Sequence, residues 1–144
     1  MITVKQILED KQGKVLTVAP EDDLCRALKI MADNNIGSLV VVKNDKVVGI
    51  FSERDFVRNA ARKEIKSKYM VVRDLMSDFV YYVRNEQTID ECMTMMTENR
   101  TRHLPVLDGG KLVGIVSIGD VLKHTIAEKE FKIKNLENYI SGGL

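Results

Sequence analysis

Apolar residues change their spacing along this chain in a fixed order, and the order names the elements. Lys14 to Val18 is a short extended run. Pro20-Glu21-Asp22-Asp23 then reads as a helix start, with proline and acids in the first turn. Leu24, Ala27, Leu28 and Met31 follow at i, i+3, i+4 and i+7, one apolar face of a helix that Asn34-Asn35 ends. Ser38 to Val42 is β-branched and apolar, as a buried strand requires. Asn44-Asp45 is a turn and Val47 to Phe51 the returning strand of a hairpin. Ser52 falls where an N-cap belongs, with Asp55 in the first turn of the next helix.

The same sentence is then repeated. Ile89, Cys92, Met93 and Met96 form a helix face, Leu104 to Leu107 a strand, Asp108-Gly109-Gly110 a turn and Leu112 to Val116 its return, with Ser117 capping and Asp120 following. An offset of 65 residues superposes Gly49-Ile50-Phe51-Ser52-Glu53-Arg54-Asp55 on Gly114-Ile115-Val116-Ser117-Ile118-Gly119-Asp120 and continues upstream without a gap to Val15/Val80. One strand-helix-strand-strand-helix unit is therefore used twice. Two copies are too few for a solenoid, so the expectation is an α/β (α+β) fold of two units packed about a pseudo-twofold axis, with a ligand cleft between them. Val4 to Leu8 and Val72 to Met76 resemble each other as lead-ins, and the charged stretch 58–69 reads as a helix end plus linker. From Leu122 to Ile140 the spacing predicts a long amphipathic helix with Gly142-Gly143 as its stop. The expected divisions are 1–70, 71–125 and a helical tail, 126–144.

Composition narrows the function. A formal net charge of +1 offers no global field for nucleic acid or an anionic membrane, although a local phosphate site stays open. The apolar runs, such as Ile36 to Val42, are too short to span a bilayer, and Met1 to Lys5 lacks the layout of a signal peptide. Cys25 and Cys92 form no zinc or redox motif and read as reduced thiols of a cytoplasmic protein, Cys92 buried and Cys25 one position off the apolar stripe. His103 and His124 have no metal-like spacing, and His124 reads as solvent-facing. Arg58, Arg62 and Lys63 read as a solvated face. No acid/base pair, nucleophile elbow or metal cluster supports an enzyme.

Chemistry concentrates in the duplicated Gly-x-x-Ser-x-x-Asp. A glycine late in a strand lets a ligand approach the backbone. A helix N-terminus presents free N–H groups and a positive dipole end to phosphate. The serine hydroxyl can donate to a phosphate oxygen, and an aspartate one turn in can accept from the two hydroxyls of a ribose. Phosphate beside ribose describes a nucleotide. A plain helix cap with an acidic first turn accounts for a single copy equally well.

These residues resemble a tandem cystathionine β-synthase (CBS) domain pair, or Bateman module, over nearly the whole chain. Arg100-Thr101-Arg102-His103-Leu104-Pro105-Val106 and the ending Glu137 to Gly142 resemble short stand-alone bacterial members. The resemblance implies a non-catalytic module that binds AMP, ADP, ATP or NAD(H), with S-adenosylmethionine ranking behind them, and that pairs into a homodimer. Residue by residue it implies Asp120 on the ribose, Ser117 on the phosphate with Arg102 and His103, and an adenine walled by Pro105, Tyr81 or Tyr82, Val83 and Ile115, near Gly114. At the same offset Arg102 matches Gly37, His103 matches Ser38 and Pro105 matches Val40. The first unit keeps Ser52 and Asp55 without that basic pair, with Arg54 as a substitute charge. The stronger site is thus expected at Ser117 and Asp120, and a weaker or different one at Ser52 and Asp55. Output is expected to pass to an unidentified effector protein. The alternative is a constitutive scaffold with vestigial nucleotide sites, against which the retained Ser and Asp in both units argue.

Overall fold

The computed structural model describes residues 1–11, 13–62 and 69–142. Part of the 58–69 linker, together with Lys63 and Gly143, lies outside the described residues. The elements run α1 (Val4–Asp10), β1 (Thr17–Val18), α2 (Leu24–Asn34), β2 (Ser38–Lys43), β3 (Lys46–Ser52), α3 (Glu53–Ala61), α4 (Val72–Leu75), α5 (Ile89–Asn99), β4 (His103–Asp108), β5 (Lys111–Ser117) and α6 (Ile118–Ile140).

Each unit is built on an antiparallel hairpin, β2–β3 in the first and β4–β5 in the second. Both turns carry positive φ at their two central residues, Asn44-Asp45 and Gly109-Gly110, the backbone of a tight hairpin whose twist matches its strands. Both hairpins slip register at equivalent places, between Val41 and Val42 and between Val106 and Leu107. β1 adds a parallel third strand through Thr17↔Val40 and Val18↔Val41. The extended run from Lys14 is therefore paired only at its last two residues. In the second unit the corresponding strand shrinks to one parallel bridge, Val83↔Val106, so Tyr81 and Tyr82 stand on no named strand.

Pro20 to Asp22 form a turn and not the first turn of a helix. The Asp22 carboxylate accepts from the Ala19 N–H at 2.8 Å, and Asp23 is the true cap of α2, its Oδ1 accepting from the Cys25 N–H. Asn35 closes α2 in the left-handed region, which asparagine tolerates.

Two apolar cores result, and the lead-ins are exchanged between them. Val4 and Ile7 of α1 are buried with Val83, Ile89, Cys92, Leu104, Val116 and Val121 of the second unit. Val72 and Leu75 of α4 are buried with Val18, Leu24, Met31, Leu39 and Phe51 of the first. Backbone bonds pin the exchange: Val4 N–H to the Gln87 carbonyl at 2.8 Å, and Val72 N–H to the Asp22 carbonyl at 2.9 Å. A cut at 70/71 therefore separates chain segments that share cores.

The glycines of the repeated motif are explained by this exchange. A Cβ on Gly114 would stand 2.6 Å from Leu8 Cδ2, and one on Gly49 would stand 2.7 Å from the Ser77 carbonyl oxygen and 2.8 Å from Met76 Sδ. What approaches the backbone at these positions is the exchanged lead-in segment.

Candidate functional site

Strand alternation sends Leu39, Val41, Leu104 and Val106 into the cores and turns Ser38, Val40, His103 and Pro105 to the opposite faces. The two halves approach there. The His103 ring reaches across to 3.5 Å from where a Cβ on Gly37 would sit. Val40 and Pro105 are buried without belonging to either core. A cleft of ≈ 290 Å³ opens at this seam, walled by Ser38, Ile50, Ser52, Asp55, Tyr81 and His103 and continued by Arg54, Arg58, Arg100 and Arg102. The same four arginines line an adjoining groove of ≈ 840 Å³ between α3 and α5, with Val57, Met96 and Ile118.

Arg102 and His103 lie beside Ser117, His103 as its partner across the β4–β5 hairpin, and they also line the cleft of Ser52 and Asp55. The physical reason is the pseudo-twofold packing, which lays the start of β4 against the first unit. Tyr81 joins them, 37% exposed and stacked edge-on against Phe79 at 4.8 Å between ring centroids. Tyr82 is exposed and does not line this cleft. Val83 is fully buried in the second core and Pro105 is sealed at the seam, so neither walls the cleft.

Both Ser-x-x-Asp motifs are complete capping boxes. Ser52 Oγ accepts from the Asp55 N–H at 3.2 Å and donates to Asp55 Oδ2 at 3.0 Å, while the Ser52 N–H reaches the same oxygen at 2.9 Å. The Ser52 hydroxyl proton is therefore engaged within the cap. No hydrogen bond among the described residues uses Asp55 Oδ1, which leaves one carboxylate oxygen for a diol. In the first turn of α3 the Glu53 N–H goes to the Gly37 carbonyl and the Asp55 N–H to Ser52, leaving that of Arg54.

Two further features of the cleft carry a cost. Ser38 is 5% exposed and its Oγ has no hydrogen-bond partner among the described residues, a loss of about 1–3 kcal/mol for a buried hydroxyl. Arg100, at the place of Asn35, holds φ 52° as the C-cap of α5, a conformation costing an ordinary L-residue about 1–2 kcal/mol. Its carbonyl accepts from Arg54 Nη1 at 3.0 Å, which fixes two of the four arginines beside the cleft.

The second unit's site is occupied from within. Lys11 Nζ, just past α1, donates to Asp120 Oδ2 at 2.8 Å and to the Ile115 carbonyl at 3.0 Å. A hollow of ≈ 90 Å³ lies alongside, lined by Leu8, Lys11, Val113, Gly114 and Ile115 among others. Burial pushes the Asp120 carboxyl up, but the Lys11 ammonium and the Ser117 N–H outweigh it and hold the group below its ordinary value. Burial, helped by the Lys11 and Arg102 charges, pulls His103 below the usual imidazole value against the opposing pull of Asp120 and Glu53. Lys11 was invisible to sequence reasoning, being 109 residues from its partner.

Cys92 is buried and its thiol is pushed up to about 11 by burial, whereas Cys25 is exposed. His124 does not face solvent; its side chain is 15% exposed and its Nε2 lies 3.8 Å from Asp10 Oδ2. No group of His, Cys, Asp and Glu suited to a metal ion exists among the described residues, and none of their helices is long and apolar enough to cross a membrane.

The CBS-domain family model matches residues 2–62 and again 72–126. The chain belongs to the CBS-domain family, as a tandem pair. It is 33% identical over 98% of its length to the mitochondrial CBS domain-containing protein CBSX3 of Arabidopsis thaliana, of which it spans 73%. A signal-transduction protein with CBS domains from Burkholderia ambifaria superposes with a TM-score of 0.82 at 48% identity, covering 87% of this chain and 94% of that one. CBSX2, solved in complex with AMP, superposes with a TM-score of 0.74 at 28% identity, covering 90% of this chain and 99% of that one.

Proposed function

We propose that this CBS pair is a regulatory module that binds an adenine nucleotide, AMP, ADP, ATP or NAD(H), in the cleft led by Ser52 and Asp55, and passes the signal to a partner protein. The observation that carries the reading is convergence: Arg54, Arg100, Arg102 and His103 meet the N-terminal end of α3, a free oxygen of Asp55 and the unpartnered Ser38 hydroxyl in one cleft. Arginine forks beside a helix N-terminus suit phosphate, and the free carboxylate oxygen suits ribose hydroxyls. Tyr81 is a stacking face at the cleft rim. The AMP complex of CBSX2 supports the ligand class. The site led by Ser117 and Asp120 would stay empty while Lys11 holds it.

One observation favours the scaffold reading. Both Ser–Asp pairs have full structural employment as helix caps, so their duplication alone no longer argues for a ligand.

A thermal-shift series with AMP, ADP, ATP, NAD⁺, NADH and S-adenosylmethionine separates the two. A ligand at 100 times its Kd adds about 2.7 kcal/mol, which for a chain of this size is roughly 5–11 °C. The shift is expected to disappear in Arg102→Ala and Asp55→Ala and to survive in Asp120→Ala. No shift with any ligand, in protein shown to carry no nucleotide of its own, favours the scaffold. Loss only in Asp120→Ala moves the site to the other half.

A further inference from the structure

α6 leaves the module as an unsupported helix. Its one fully buried side chain is Val121, with His124 and Thr125 partly buried on the following turn, and from Lys129 to Ile140 every residue is exposed. The expected amphipathic tail is present, but its apolar face does not pack on its own module. Leu122, Ile126, Ile133, Leu136 and Ile140 are 50–82% exposed. Their spacing is 4, 7, 3 and 4, a heptad in which Ile126, Ile133 and Ile140 occupy every a position and Leu122, Lys129 and Leu136 every d position.

We infer that α6 pairs in parallel with α6 of a second copy of this chain, along the seam from Leu122 to Ile140. Three observations choose this occupant. Isoleucine at a with leucine at d is the pattern of parallel two-stranded coiled coils. The flanking charges match in that orientation: Lys132 at g meets Glu137 at e of the second copy, and the twofold axis makes the pair twice. Lys132 is itself well exposed, and among the described residues its ion-pair partner is the half-buried Glu128, 3.3 Å away on its own helix. The antiparallel alternative would set Glu130 beside Glu130. Lys129, the one polar group in the seam, fixes register at some cost in stability. Phe131, exposed on the outer f position, takes no part.

Site-directed cross-linking of the full chain tests the pairing without assuming any ligand. In a Cys25→Ser background, Ile140→Cys is expected to give a disulfide-linked dimer on mild oxidation, because the two a positions face each other. An antiparallel pairing would hold them about 27 Å apart. Ile133→Asp, on a stretch that touches nothing in its own module, is expected to weaken the dimer about 100-fold in sedimentation equilibrium by placing a carboxylate in the seam, with helicity of the module retained. Lys132→Glu should weaken it and Lys132→Glu with Glu137→Lys restore it, while Phe131→Ser changes nothing. A monomer at all concentrations, or a dimer that survives Ile133→Asp and does not cross-link at residue 140, overturns the inference.

Discussion

Replacing Gly49 or Gly114 by alanine distinguishes two accounts of the repeated glycine: room for a ligand, or room for the exchanged lead-in. The structure predicts unequal costs. At Gly49 the new methyl meets a backbone oxygen at 2.7 Å. That oxygen cannot yield, because Ser77 and Ile50 exchange two backbone bonds of 2.9 Å each. Overpacking at such a place lies toward the top of its range, about 3 kcal/mol, and the gain from removing glycine's freedom in the unfolded chain offsets about 0.5 kcal/mol. The net loss is about 2.5 kcal/mol, or roughly 5–10 °C in Tm for about 150 residues. At Gly114 the clash is with the end of the Leu8 side chain, which can rotate, so the same arithmetic from the low end of the range gives about 0.5 kcal/mol and about 1–2 °C. Differential scanning calorimetry of the two variants without ligand measures both. Equal and negligible shifts in Tm, with nucleotide response lost in either variant, would refute the packing account and return the glycines to the ligand.

Lys11→Met should cost less than about 1 kcal/mol, because the Lys11–Asp120 pair is partly exposed and screened. It should also flatten the acid limb of the stability curve. The Asp120 carboxyl is held below its ordinary value of 3.8, so its contribution is full above that value and is lost as pH falls through the folded pKa; urea titrations between acid and neutral pH would show the difference. Thiol titration of the native protein should find Cys25 reacting promptly and Cys92 only after denaturation, since burial holds Cys92 protonated. Prompt reaction of both would mean that the second core opens readily.

The hairpins, the helix faces and the duplication were legible because each rests on local chemistry: β-branched runs, Asn-Asp and Gly-Gly turns, and apolar residues at helical spacing. The turn at Pro20 to Asp22 misread as a helix start because proline and acids favour both, and only the Asp22 bond to the Ala19 N–H decides between them. The exchange of α1 and α4 was not legible, since nothing local in Val4–Asp10 says which core will take it. For the same reason Lys11 was missed as the partner of Asp120. Treating each repeat as self-sufficient did not show that Arg102 and His103, next to Ser117 on the hairpin, also reach the first unit's cleft.

His103 lies where the two halves meet, and its titration offers a test of the proposed site that does not depend on fold stability. Lys11, Asp120, Glu53 and Arg102 are the charges that reach it, and burial dominates them all in lowering its pKa. Near neutrality the free protein therefore holds the ring uncharged. An anionic phosphate brought into the cleft adds a negative charge beside the ring, favours the imidazolium and raises its pKa in the complex. Binding then takes up a proton over the interval between the two pKa values, so affinity must rise as pH falls through that interval. NAD⁺ is the informative probe, because its pyrophosphate does not titrate there and any slope belongs to the protein. Isothermal titration from pH 5.5 to 8 should show affinity increasing toward acid in the native chain and flat in His103→Asn, which keeps a donor of similar size without the charge. A slope that persists in His103→Asn would place the responsible proton elsewhere. A native chain with no slope would mean that the ligand's phosphates do not sit beside this ring.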